Sequence, residues 1–142
     1  MHTHGDSWKT SIELRARDFD YLGHLTSAAY VELLEEARVR WLAPASGDGQ
    51  PAYVVARQAV DYRREIRPQD GPVVVSIRAQ QESDSRIVVH EVIAGQDGSV
   101  RATCAGVLVG WDREKRRSRP LNAAERALLD RMGTAYLDRR TS

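Results

Sequence analysis

The residues best suited to chemistry lie close together in the run Asp18-Phe19-Asp20-Tyr21-Leu22-Gly23-His24-Leu25-Thr26-Ser27-Ala28-Ala29-Tyr30. Aspartate is ordinarily ionised at neutral pH, so a carboxylate here can attack an activated carbonyl carbon or take a proton from a water beside it. The residue types leave open whether it acts as nucleophile or general base. The run passes through a glycine turn into a helix-forming segment, whose first backbone N–H groups lack partners within the helix and form the positive end of its dipole. Such donors stabilise negative charge growing on a carbonyl oxygen, and loss of one typically costs about a hundredfold or more in rate. The combination suits cleavage of an ester or thioester.

Other readings of the same letters are weaker. Asp residues start turns by bonding their own backbone, which is the ordinary meaning of an isolated Asp-x-Asp-x-x-Gly. A calcium loop would need oxygen ligands where Leu22 and Ala29 stand. His24 reads as a turn or helix-entry residue and His90 as a strand residue, while Glu35 is a reserve acid on the helix.

The elements that must position the acids follow from hydrophobic period. Ile12, Leu14 and Ala16 alternate with Glu13, Arg15 and Arg17, which predicts a strand that continues to place Asp18 and Asp20 on its inward phase. Tyr30, Leu33, Leu34, Ala37 and Trp41 recur at helical spacing, with Glu32, Glu35, Glu36, Arg38 and Arg40 filling the polar remainder. A helix over 27–42 is expected, with Ser27 as N-cap and Glu36 paired to Arg40. Segments 52–66, 72–80, 86–94 and 99–111 are rich in Val, Ile, Thr and aromatic residues and are separated by short polar turns, predicting four strands in an antiparallel meander. Asn122 and Glu125 form a capping-box variant at the head of a terminal helix reaching about Tyr136.

Composition sets the bounds. The 142 residues, 42% hydrophobic, suffice for one core, and a net charge of +1 gives no global attraction to nucleic acid or an anionic membrane. The opening residues lack an apolar run of signal-peptide length and no segment reaches a membrane span, so a cytoplasmic protein is expected. The lone Cys104 sits in an alternating apolar run, as a packed strand thiol does, and no cysteine–histidine cluster suggests a metal. Arg63, Arg64, Arg67, Arg86 and the run 113–119 are the cations available to an anionic ligand, although charge runs usually form solvated edges. Trp8, Trp41 and Trp111 read as core or interface packing.

Asp-x-Asp-x-x-Gly-His at 18–24, Tyr30, Glu35-Glu36-Ala37-Arg38, the strand Val54 to Tyr62, and Ala102 through Pro120 together resemble the 4-hydroxybenzoyl-CoA thioesterase-like hotdog family, over about residues 10–130. The resemblance implies an α+β hotdog fold, an antiparallel sheet of about five long strands wrapped around a central helix, with a C-terminal helix. A single domain over 1–142 is expected, with flexible ends at about 1–7 and 138–142. It implies an acyl-CoA thioesterase that hydrolyses its substrate to a free acid and coenzyme A. It further implies active sites at a homodimer interface, dimers expected to pair into tetramers, and no cofactor, because coenzyme A belongs to the substrate. The family's catalytic aspartate falls on Asp20, with the backbone N–H of Ser27 as oxyanion donor and Gly23 and His24 shaping the turn. Asp18 is then the flanking acid at the substrate site with Tyr30, and Arg64 and Arg86 are the cations chosen to meet the phosphates of coenzyme A. Thr26 and Ser27 replace the asparagine or histidine that many relatives carry after Gly-His-Val, a departure bearing on substrate preference. Two other readings stand beside this one: a hydrolase for acyl or polyketide chains on a carrier protein, and a noncatalytic hotdog ligand-binding module.

Overall fold

Residues 7–132 are described by the structure, a computed structural model. The elements run β1 (Trp8–Ile12), α1 (Ser27–Leu42), β2 (Tyr53–Tyr62), β3 (Val73–Gln81), β4 (Arg86–Ala94), β5 (Val100–Asp112), β6 (Arg117–Ser118) and α2 (Ala123–Asp130), with short 3-10 turns at Ala16–Asp18, Ala43–Ala45 and Pro68–Asp70. The strands form one antiparallel sheet in the order β1-β3-β4-β5-β2, and β6 pairs with β5 off that path.

The sheet curls over α1. Val73, Val75 and Ile77 of β3, Ile87, Val89 and Ile93 of β4, and Ala102, Cys104 and Leu108 of β5 form its inner face. They meet Tyr30, Leu33, Leu34, Ala37 and Trp41 of the helix. Each strand exposes alternate residues to opposite faces, so these inward sets are the direct product of period two meeting a helical stripe. Trp41 is core, Trp8 packs against the core from its edge, and Trp111 is half-buried. This is the hotdog arrangement that the resemblance implied.

Several expectations need correction. The first strand stops at Ile12 instead of continuing to Asp20, because the chain turns into the 3-10 segment at Ala16–Asp18. There the Asp18 carboxylate accepts from the Arg15 N–H at 2.9 Å and pairs with the Arg15 guanidinium at 3.0 Å. Asp18 is therefore buried and Asp20 exposed, so only one of the two acids faces inward. The four later strands are not a simple meander: β3, β4 and β5 are, but β2 crosses over to pair with β5. The helix N-cap is Thr26, not Ser27, and its hydroxyl accepts from the Ala29 N–H at 3.2 Å. The Asn122–Glu125 capping box forms as expected, with reciprocal bonds of 2.7 and 2.8 Å. The terminal helix closes at Asp130 with Arg131 as its C-cap, short of the expected end near Tyr136, which itself lies outside the described residues, as do most of the ends called flexible.

Arg38 departs most from its expected place. Both its side chain and that of Glu91 are 0% exposed, joined by hydrogen bonds of 2.8 and 2.7 Å beneath the helix, with Cys104 Sγ 3.7 Å away. Arg40, in contrast, lies on the solvent face and pairs with Glu36 as the spacing predicts.

Two β-bulges shape the sheet around β5. In β2, Val55 pairs with Leu108 and Arg57 with Val107, leaving Ala56 as an extra residue. In β5, Ala94 faces Val100 and Ile93 faces Ala102, leaving Arg101 as an extra residue. A bulge bends its strand and re-aims the side chains that follow.

Candidate active site

The loop that delivers Asp20 is closed at its base by a bridge between Phe19 and Leu25. Within it the Asp20 N–H donates to the His24 carbonyl and the Gly23 N–H to the Asp20 carbonyl, each at 3.0 Å. Gly23 has φ +79°, a left-handed conformation that a side chain would strain, which explains why glycine stands there. Asp20 Oδ1 accepts from the N–H groups of Leu22 and His24 at 2.9 and 3.0 Å. These bonds fix the carboxylate and leave Oδ2 without a hydrogen-bond partner among the described residues. The loop tip is apolar and open: Tyr21 is 95% exposed and Leu22 61%.

Beyond the loop the chain enters α1. The Leu25 N–H donates to the Ile66 carbonyl and the Thr26 N–H to the Asp18 carbonyl. The N–H groups of Ser27 and Ala28 have no acceptor among the described residues. They are the free donors that a helix start is expected to present.

A cavity of about 360 Å³ opens at this helix start, lined by His24, Leu25, Ser27, Tyr30 and the segment from Tyr62 to Glu65. Tyr30 is buried and meets Tyr62 edge to face at 4.9 Å. Burial, and then the neighbouring Tyr62, push the Tyr30 phenol above its ordinary value. His24 Nε2 lies 3.0 Å from Glu65 Oε1 across the cavity lip.

The structure thus brings Gly23, His24, Ser27, Tyr30 and Arg64 to one place, with Asp20 on the adjoining loop rather than in the cavity wall. Asp18 does not line the cavity, since its carboxylate is held by Arg15. Burial works to raise the Asp18 carboxyl, and the hydrogen bonds from Arg15 outweigh it, leaving the group below the usual carboxylate range. Arg86 opens β4 at the far end of the sheet, roughly 25 Å away at ~3.4 Å per residue, and pairs with Glu82 at 2.8 Å. Glu65, Leu25 and the part played by Tyr62 were missed as site residues. The alternation of Val60 and Tyr62 carried a signal for the tyrosine, but nothing in the sequence marked Glu65.

A second cleft, about 390 Å³, is lined by residues that include Trp111, Arg113 and Arg119. Its arginines are committed within the chain, Arg113 to Asp48 and the Gln50 carbonyl, Arg119 to Glu125 and the carbonyls of Ala52 and Trp111. Arg113 and Arg119, the two ends of the basic run at 113–119, therefore brace the fold there. Among the described residues no group of three or more His, Cys, Asp or Glu is placed to hold a metal ion. No helix among them is long and apolar enough to cross a membrane.

Comparison with known proteins agrees with this fold. The family model of the thioesterase-like superfamily matches residues 14–129. A thioesterase from Thermus thermophilus, solved with coenzyme A and Zn, is 30% identical with a TM-score of 0.77, covering 93% of this chain and 96% of its own. YbaW, a probable thioesterase from Escherichia coli, is 27% identical with a TM-score of 0.69, covering 87% and 97%. Slr0204, a 1,4-dihydroxy-2-naphthoyl-CoA thioesterase from Synechocystis, shares the fold at 17% identity and a TM-score of 0.75, covering 87% and 96%. No curated protein sequence matches. With the family model spanning most of the chain over a hotdog fold, the chain belongs to the thioesterase-like superfamily and is a thioester hydrolase.

Proposed function

We propose that this protein hydrolyses an acyl-CoA thioester, using the Asp20 carboxylate against the thioester carbonyl while the Ser27 N–H receives the developing oxyanion. The observation that carries the reading is the pinned carboxylate with one oxygen left over, beside a helix start whose N–H groups have no partner among the described residues. As nucleophile, Oδ2 forms a bond to the carbonyl carbon, the carbon–sulfur bond breaks to release the thiolate of coenzyme A, and water then cleaves the mixed anhydride. As general base, the same oxygen takes a proton from water as the water adds. Both routes end in a free acid and a thiol, and they use carboxylate and peptide groups alone, with coenzyme A as part of the substrate. Arg63 and Arg64 at the cavity lip suit the phosphates of that substrate.

The same reading makes the working unit a homodimer, itself able to pair into a tetramer. Its support is the edge strand β2, ten residues long and paired only to β5 among the described residues, with Val54 37% and Tyr62 52% exposed. A long unpaired edge invites a second strand, and a partner there would cover Tyr62 and close the cavity beside it. Sedimentation should show a dimer that Val54→Lys weakens; a monomeric wild type that still turns over would refute this assembly. A cytoplasmic setting accords with the buried free thiol of Cys104.

The test is free-thiol release from short, long and aromatic acyl-CoAs by the wild type and Asp20→Asn. Asp20→Asn should lose at least about a hundredfold in turnover with its melting temperature unchanged, because the exposed carboxylate contributes no packing. Equal turnover by the two proteins removes Asp20 from the mechanism.

A further inference from the structure

The cavity rim at 63–67 has no regular secondary structure of its own, and three of its backbone polar groups, the N–H groups of Arg63 and Arg64 and the carbonyl of Glu65, are tied to one residue outside it, Arg101. The Arg101 carbonyl accepts from the N–H groups of Arg63 and Arg64 at 2.8 and 3.1 Å. The Arg101 guanidinium donates to the Glu65 carbonyl at 2.8 Å and to Asp70 Oδ2 at 3.0 Å. Asp70 Oδ2 in turn accepts from the Arg67 N–H at 2.8 Å, so the clasp reaches the end of the rim. Arg101 is 7% exposed, with its Nε donating to Ser99 Oγ at 2.9 Å and its Nη2 lying 3.5 Å from Asp97 Oδ1.

Its inward aim is built into the backbone. Arg101 is the extra residue of the β5 bulge, which allows it and the next residue, Ala102, both to be buried. Gly95 completes the cradle, since a Cβ there would stand 2.6 Å from Arg101 Nη2. A bulge, a glycine and two carboxylates all serve one guanidinium.

We propose that Arg101 is a positioning residue of the active site, holding the rim so that the Glu65 carboxylate meets His24 on the loop that carries Asp20. The chain of contacts is continuous. Arg101 holds the Glu65 carbonyl, the Glu65 carboxylate meets His24 Nε2 at 3.0 Å, and the His24 N–H donates to Asp20 Oδ1 at 3.0 Å. The inference rests on the proposed role of Asp20, and names a residue that acts on it through Glu65 and His24.

A double-mutant cycle tests it, with kcat/KM for an acyl-CoA measured on the wild type, Arg101→Met, Glu65→Ala and the combined variant. Each single change should cost about tenfold, and the combination no more than the larger single loss, because both break the same chain. Losses that multiply to about a hundredfold, as for independent sites, would overturn the proposal, as would an Arg101→Met of wild-type activity. If Arg101→Met fails to fold, Asp70→Asn takes its place in the same cycle and is read in the same way. The ring resonances of His24, followed by NMR without substrate, should move in Arg101→Met toward their position in Glu65→Ala; unmoved resonances also overturn the proposal. Should the wild type cleave no acyl-CoA, the reaction assigned to the site fails, while the His24 resonances still decide whether Arg101 holds the rim.

Discussion

Replacing Arg38 by Met keeps most of the side chain's length and volume and removes its charge, which strands Glu91. Both side chains are 0% exposed and the two bonds between them are 2.8 and 2.7 Å, so no water is at hand to replace the lost partner. Breaking one side of a buried pair of this kind costs about 3–5 kcal/mol. At roughly 3 °C per kcal/mol for a chain of this size, the melting temperature should fall by about 10–15 °C. The second half of the prediction runs the other way. Arg38→Met combined with Glu91→Leu should return to within about 1 kcal/mol of the wild type, because the pair's attraction is offset by the desolvation of both ions. Arg38 Nη1 adds to that cost, being buried without a hydrogen-bond partner among the described residues. Urea unfolding followed by fluorescence of the core Trp41 is the assay, with the slope checked for constancy so that midpoint shifts report stability. A single variant that loses less than about 1 kcal/mol, or a double variant as unstable as Arg38→Met alone, would refute the argument from charge burial.

Two further outcomes follow from the titrating groups. Burial, and then the charge of Glu91, push the Cys104 thiol up to about 11, so native protein at about pH 8 should resist thiol-directed alkylation and react fully once unfolded; rapid native labelling, read by mass spectrometry, would contradict this. The Ser99 N–H and hydroxyl hold the Asp97 carboxyl down at about 2. A carboxylate lowered in the folded state stabilises above the ordinary value near about 4 and loses that contribution as pH falls through its folded value. The stability difference between wild type and Asp97→Asn should therefore shrink as pH drops from about 4 to about 2, and a constant difference would count against it.

Sequence patterning reached far for the elements and less far for their neighbours. Helix α1 has the bounds its stripe predicts, and β4 matches its predicted span residue for residue, because each is governed by a period intrinsic to its own segment. Strand partners obey no such local signal, and β2 pairs with β5 rather than with the strand that follows it. Arg38 was hidden by its letter, although Leu34 and Leu42 stand one turn to either side of it and are buried. The loop bearing Asp20 was legible through its glycine turn and helix entry. Arg101 was not, since inserting one residue into β5 reverses the facing that alternation alone would assign.

The extra residue at Ala56 has a consequence of parity. Val55 lies opposite the buried Leu108, and Val60 and Tyr62 lie opposite the buried Cys104 and Ala102, an inward set that skips from an odd position to even ones. Removing Ala56 while keeping Val55 in place would invert everything downstream in β2, turning Tyr62 outward and carrying the charge of Asp61 toward Tyr30. The length of the strand, to the single residue, thus decides whether an aromatic ring or a carboxylate greets whatever enters beside the helix.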